Sequence, residues 1–297
     1  MGPNLLIAGV PRAGTTALAH SLAGHGDIHV TDPKEPHYLA FGDRKPNFTG
    51  PGDDVTINRQ ITQDRQAYLA LFNTARPNSY TCDASVSTLY HWDSIGDRRE
   101  LIASDARYVI CLREPALRAY SAYLYMCSRG FETESFTRAL ELETQRIADG
   151  WHHMWHYTGC SEYASQISRL LQDVDRSRLC IVIAEELRTD HAAETFRILS
   201  WLGLSGDPLG QKTHTDINRG GIARNRFVGA GLSGLANKPR LRAAVRAAVP
   251  FALRHRLKAS LLEHPPADSE TLESLRALHS GDTAAVIDLI GRRPMGW

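Results

Sequence analysis

Leu5-Leu6-Ile7-Ala8-Gly9-Val10-Pro11-Arg12-Ala13-Gly14-Thr15-Thr16 is the stretch on which the fold turns. Leu5–Val10 is a short apolar run closed by Gly and Pro, which reads as a buried strand. Thr15–Ala23 carries helix formers and stops near Gly24 and Gly26, so a helix follows at once. The turn between them suits an anion. Glycines let the backbone come close, and the first amides of a helix have no partner inside it. Arg12 adds a forked cation that matches phosphate oxygens, and Thr15 and Thr16 add hydroxyls. The Gly9–Gly14 frame fits the nucleotide-triphosphatase loop GxxxxGK[ST], except that Thr15 stands where the Lys belongs. A strand-to-helix turn that binds nothing is the plain alternative, and the Arg with its two threonines favours an anion.

Working outward, Ile28–Val30, Tyr80–Cys82, Arg107–Leu112 and Leu179–Ala184 read as further strands. Helices are expected at Gln60–Phe72, Ile95–Ala103, Pro115–Ser128, Phe136–Ala148, Glu162–Gln172 and Phe196–Leu202, and through the chain after Leu232. Pro33–Asp54, rich in Pro, Gly and Asp, reads as loop. The alternation predicts an α/β fold: a P-loop-type parallel sheet of about five strands, helices on both faces and a helical C-terminal extension. No linker or repeat interrupts it, so residues 1–297 read as a single domain.

Composition narrows the functions. With 42% hydrophobic residues the chain has material for a core, and nothing argues for disorder. Lys and Arg number 34 against 33 Asp and Glu, a net charge of +1, which excludes a polycationic nucleic-acid binder and makes any anion site a local arrangement. Cys82, Cys111, Cys127, Cys160 and Cys180 are widely spaced, with no CxxC pair and no Cys/His pattern, so no metal is expected and reduced thiols in the cytoplasm are. The start of the chain lacks the basic region of a signal peptide, and position 6 lacks the hydroxyl that myristoylation needs. No apolar run approaches the roughly 18–20 residues of a transmembrane segment.

Arg113 closes the fourth strand, where α/β sheets hold ligands, and Ser121 follows about two turns into the next helix. On its own an Arg there is more often a surface residue. Taken together, the two segments carry a resemblance. Pro11-Arg12-Ala13-Gly14-Thr15-Thr16 is similar to the 5′-phosphosulfate loop of sulfotransferases that use 3′-phosphoadenylyl sulfate (PAPS), and Arg113-Glu114-Pro115 with Ser121 resembles their 3′-phosphate segment. The resemblance spans nearly the whole chain and points to the bacterial and heparan-sulfate/Golgi-type branch. It implies an α/β fold, no metal, Arg12 to Thr16 on the 5′-phosphosulfate, and Arg113 and Ser121 on the 3′-phosphate. ATP has no 3′-phosphate for the second segment to hold.

Lys34-Glu35-Pro36-His37 offers a carboxylate and an imidazole within three residues. Read alone, Glu35 is a solvated loop carboxylate and His37 an ordinary histidine. The segment is similar to the one that carries the catalytic base in heparan-sulfate sulfotransferases, which implies Glu35 as base and His37 as an assistant contacting the acceptor or sulfonate; Arg12, in the loop, would steady the charge on the bridging oxygen. The same resemblance implies Arg224, in Asn218–Arg224, on the nucleotide, with a surface Arg as the equal alternative. Asp83-Ala84-Ser85 resembles a substrate-side segment, but Ala84 replaces the Lys of heparan-type enzymes, which puts a glycosaminoglycan acceptor in doubt. Ala184 stands where some relatives have a Tyr.

No acidic residue occurs from Ile217 to Leu262, while ten Lys or Arg do. A packed helix with a solvated basic face accounts for this, and contact with an anionic acceptor or a membrane surface is the sharper alternative. The expected partner is a small-molecule, carbohydrate or lipid acceptor bearing a hydroxyl or, second, an amine. Two rival readings stay open: a P-loop kinase using ATP and Mg²⁺, and a non-catalytic nucleotide-binding module.

Overall fold

The computed structural model describes residues 2–42, 46–205, 222–223, 262–263 and 265–297. Five strands, β1 (Leu5–Gly9), β2 (Ile28–Val30), β3 (Tyr80–Asp83), β4 (Arg107–Leu112) and β5 (Leu179–Ile183), form a wholly parallel sheet in the order β2-β3-β1-β4-β5. Each strand falls where the sequence predicts one, within a residue at its ends. β1 is central, with Leu5 opposite Cys82 of β3 and Arg107 of β4. Its Leu5, Leu6, Ile7 and Ala8 are fully buried. A strand covered on both faces needs an unbroken apolar run, which is why β1 does not alternate.

The helices are α1 (Thr15–Leu22), α2 (Tyr38–Phe41), α3 (Ile57–Gln60), α4 (Arg65–Ala70), α5 (Pro115–Cys127), α6 (Phe136–Glu141), α7 (Glu143–Ala148), α8 (Tyr163–Leu170), α9 (Ala184–Thr189), α10 (His191–Leu202), α11 (Ser269–Leu278) and α12 (Ser280–Ile290). Several depart from expectation for local reasons. The helix predicted at Gln60–Phe72 divides, because Ile61 turns extended and the Asp64 carboxylate accepts from Ala67 N–H, capping α4 as a new start. Phe136–Ala148 divides at Leu142. Just beyond it the buried Glu143 carboxylate accepts from the N–H groups of Thr158 and Gly159 at 2.7 and 2.9 Å. The Ile95–Ala103 region is a 3₁₀ segment, Trp92–Leu101, interrupted by Gly96 at φ 52°. α2 lies in the predicted loop, and α9 follows β5 directly. α10 starts at His191, earlier than expected, capped by Asp190.

The main core joins the sheet to α1, α8, α10 and α12, and a second cluster joins α5 and α6 to Trp155, Tyr157 and Leu275 of α11. The C-terminal extension is tied to this core by Asp282, which accepts from the N–H groups of Tyr163 and Ala164 at the start of α8. All five cysteines are free, four of them buried. No described helix is long and apolar enough to cross a membrane. Arg224 and most of the basic 217–262 segment lie outside the described residues.

Candidate active site

The carboxyl ends of β1, β3 and β4 open at the point where the strand order reverses, the usual ligand crevice of an open α/β sheet. The chain leaves β1 through a turn that only a special backbone allows. Arg12 sits at φ 74° and Gly14 at φ 91°, both left-handed. A left-handed residue without glycine's freedom marks a constrained, often functional, turn. Among the described residues the N–H groups of Gly14, Thr15 and Thr16 have no hydrogen-bond acceptor and stand at the start of α1. Their unpaired amides point out from the start of α1, as the loop's sequence leads one to expect of a strand-to-helix turn.

Arg12 is the centre of the arrangement. Its Nε donates to Ser121 Oγ at 3.3 Å, and its guanidinium lies over the Tyr125 ring, 4.6 Å from the centroid. Burial lowers its pKa to about 10, Tyr125 opposes that, and the neighbouring Arg113 and Arg129 add to it. It stays positive at neutral pH but is poorly solvated, the condition under which an anion binds it well. Arg113 donates from a terminal nitrogen to the Arg12 carbonyl at 3.4 Å, and burial lowers its pKa too. Arg12, Arg113 and Ser121 therefore converge, although Arg12 and Ser121 are 109 residues apart. Glu114 explains why the segment reads Arg-Glu-Pro. Its carboxylate caps α5 by accepting from the N–H groups of Ala116 and Leu117, and Pro115 fills the first turn.

Glu35 and His37 reach the cleft from the segment after β2. Lys34 Nζ lies 2.5 Å from one Glu35 oxygen, and His37 Nε2 lies 3.4 Å from the other. Although 29% of the Glu35 side chain meets solvent, burial pushes its pKa up; Lys34 and His37 together outweigh that and hold it at about 2. His37 is locked from behind. Its N–H donates to Ser85 Oγ at 2.9 Å and its Nδ1 pairs with Ser87 Oγ at 2.8 Å. Ser85 in turn donates to Asp83, which also accepts from Tyr68. Asp83 is fully buried and its pKa is raised by that burial, against the pull of Ser85 and Tyr68. It supports the site rather than facing the cleft.

Arg12, Thr15, Thr16, Glu35 and His37 line one open cleft of about 760 Å³. A smaller recess of about 370 Å³ lies between Gly14, Ala184, Leu187 and Arg188, and Arg12 borders both. Opposite the loop the cleft is walled by residues the sequence did not single out, among them Tyr125, Arg129, Phe131 and His152. A signal existed for Tyr125, which lies four residues after Ser121 and so on the same helical face. None existed for His152, which is brought in from 140 residues beyond Arg12 by folding alone. Among the described residues no group of three or more His, Cys, Asp or Glu could hold a metal ion.

A profile of the sulfotransferase family matches residues 3–208. The chain is 28% identical to human carbohydrate sulfotransferase 15 over 172 residues, 47% of this chain but 31% of that protein. It is 25% identical to mouse heparan sulfate glucosamine 3-O-sulfotransferase 6 over 258 residues, 86% of this chain and 68% of the relative. It thus spans under a third of the human protein's length. A sulfotransferase from Alicyclobacillus acidocaldarius superposes with a TM-score of 0.72 at 26% identity, over 100% of this chain and 99% of the other.

Proposed function

This chain belongs to the sulfotransferase family, and from that premise we propose that it moves a sulfuryl group from PAPS to an acceptor hydroxyl held in the open cleft. The observation that carries the reading is the convergence of Arg12, Arg113 and Ser121 behind an amide cradle. A donor with phosphate at both ends of its ribose needs two anion sites, and these residues supply them. The free amides of Gly14, Thr15 and Thr16 and the guanidinium of Arg12 take the 5′-phosphosulfate. Arg113 and Ser121 take the 3′-phosphate, with the recess beside Ala184 and Leu187 open to the base. Arg224 is assigned to the same nucleotide by sequence alone.

The chain's own groups account for the transfer. Glu35 accepts the proton of the acceptor hydroxyl as its oxygen bonds to sulfur. The sulfur–oxygen bond to the nucleotide phosphate breaks, and Arg12 steadies the charge left on that oxygen. A carboxylate held near pKa 2 is a weak base. With a sulfonate in the cleft Lys34 has a second anion to serve, and sharing Lys34 raises the basicity of Glu35. His37, fixed by Ser85 and Ser87, orients the carboxylate from the other side. The chemistry needs charge and alignment and no metal. The two mammalian relatives are named for carbohydrate and heparan sulfate glucosamine, which supports a sugar hydroxyl over a lipid or an amine. A cytoplasmic location, one domain over 1–297, and contact of the basic 217–262 segment with an anionic acceptor or a membrane surface belong to the same reading.

The test is a thermal-shift titration with 3′-phosphoadenosine 5′-phosphate (PAP), the desulfated donor, against ATP with and without Mg²⁺. Ligand at 100 times its Kd stabilises by about 2.7 kcal/mol, a rise of several degrees. A metal-independent shift with PAP is expected. A shift only with ATP and Mg²⁺ overturns the proposal.

A further inference from the structure

The transfer just described leaves unused a buried carboxylate, Asp53, and the imidazole of His152 that it holds at the cleft wall. Asp53 has no exposed surface, and its carboxylate collects four nitrogens. Oδ2 accepts from the N–H groups of Gly50 at 3.0 Å and His152 at 3.2 Å. Oδ1 accepts from the Trp155 indole at 3.2 Å and stands 2.8 Å from Nδ1 of His152. A carboxylate taken out of water at such cost persists only when fully partnered. The Nδ1 contact is bent, but two lone pairs at 2.8 Å would repel, so the proton sits on Nδ1. That tautomer leaves a lone pair on Nε2, and no described residue hydrogen-bonds it. The ring lines the same cleft as Arg12 and Glu35. The rings of His37, His153 and His152 follow one another at centroid spacings of 6.4 and 5.4 Å, so Nε2 is within reach of an acceptor whose reacting hydroxyl sits at Glu35.

We propose that Nε2 of His152 accepts a hydrogen bond from an acceptor hydroxyl other than the one sulfated, with Asp53 as the positioning residue that fixes its tautomer; the acceptor is thereby a polyhydroxyl compound of the sugar class. The assignment rests on the sulfotransferase reading above. A purely structural tie between the 50–56 and 150–156 segments needs the backbone and indole donors on Asp53. It does not need an imidazole with its far nitrogen unpaired at the cleft.

His152→Asn separates the two roles, because its amide keeps a donor where Nδ1 stands and deletes Nε2. His152→Gln does the reverse, placing an amide oxygen near the position of Nε2. Transfer from ³⁵S-labelled PAPS is measured to methyl β-D-glucopyranoside and to cyclohexanol, with PAP binding followed in parallel. The wild type is expected to label the glycoside with at least tenfold higher kcat/KM than cyclohexanol. His152→Asn is expected to raise the glycoside KM at least tenfold and erase that preference, with PAP affinity within twofold of wild type. His152→Gln is expected to recover part of the loss. An unchanged glycoside KM in His152→Asn overturns the inference, as does an equal loss for both alcohols. A wild type that binds PAP yet labels no glycoside overturns it as well. A wild type that does not bind PAP sinks the sulfotransferase reading itself, and the inference with it.

Discussion

Glu35 is a carboxylate under opposed forces, with burial pushing it toward neutrality and Lys34 and His37 pulling it back to a pKa of about 2. Two predictions follow at the scale of the single residue. Glu35→Gln keeps shape and loses the proton acceptor, so PAP binding should persist while kcat falls by about 10²–10⁴-fold, the usual share of a general base; turnover at the wild-type rate would assign the base elsewhere. Lys34→Met removes the nearest opposing charge, so burial is less opposed and the Glu35 pKa climbs. The active form is the carboxylate, and rate is lost as pH falls through its pKa. The wild type should therefore show no acid limb from Glu35 above about pH 2, whereas Lys34→Met should show one at higher pH in a kcat/KM profile. Arg12, Arg113 and Ser121, and Glu35 and His37, were singled out by short motifs and a family resemblance; folding brings Arg12, Glu35 and His37 to one cleft and Ser121 and Arg113 against Arg12, and their roles are what is proposed. Asp53 and His152 were not legible in the sequence, since a pair 99 residues apart leaves no local trace.

The element that matters most is the start of α5, where one carboxylate sets the helix and the helix sets Ser121 and Tyr125. Glu114→Ala removes the cap from the N–H groups of Ala116 and Leu117, which should cost about 1–2 kcal/mol and lower Tm by a few degrees. Because Arg113 precedes that first turn and Ser121 lies about two turns along the same helix, PAP affinity should fall with it; unchanged Tm and affinity would remove the cap from the account. At the loop, Gly14 sits at φ 91°, and an added Cβ would press on Leu187 Cδ2 at 3.3 Å, which would have to yield by a few tenths of an ångström. Gly14→Ala should cost roughly 1–2 kcal/mol in backbone strain, read as a lower Tm and weaker PAP binding. Elements were more legible than their ends. The strands β1, β4 and β5 announce themselves as apolar runs because a parallel strand covered on both faces needs little else, whereas β2 (Ile-His-Val) and β3 (Tyr-Thr-Cys-Asp) carry polar residues and are marked more weakly. Helices split where tertiary partners intervened, as Glu143 did with Thr158 and Gly159, and periodicity carries no record of such partners.

Across the whole molecule, burial keeps a set of histidines uncharged. It lowers His91 to about 3 and His156 and His279 to about 4, and depresses His153 as well. The unfolded chain takes up protons near pH 6.5 and the folded one does not, so stability is full above that pH and is lost on acidification. At pH 5 each such histidine costs about 2 kcal/mol, so Tm should fall steeply between pH 7 and pH 5 and stay level above pH 7. A Tm indifferent to that acidification would show that these rings are not kept neutral by the fold.

The two sides of the cleft are built from unlike materials. The side proposed here for the donor rests on the loops at the ends of β1 and β4, so its shape is set by the sheet. The side proposed for the acceptor is made of side chains on the segments Thr56 to Gln60, Tyr125 to Phe131 and His152 to Met154, none of which belongs to a strand. Such a division makes the catalyst retargetable. Variation confined to those three segments would change which alcohol is sulfated while the grip on the nucleotide stays constant, so a library randomised there could be screened against many acceptors with one unchanging donor.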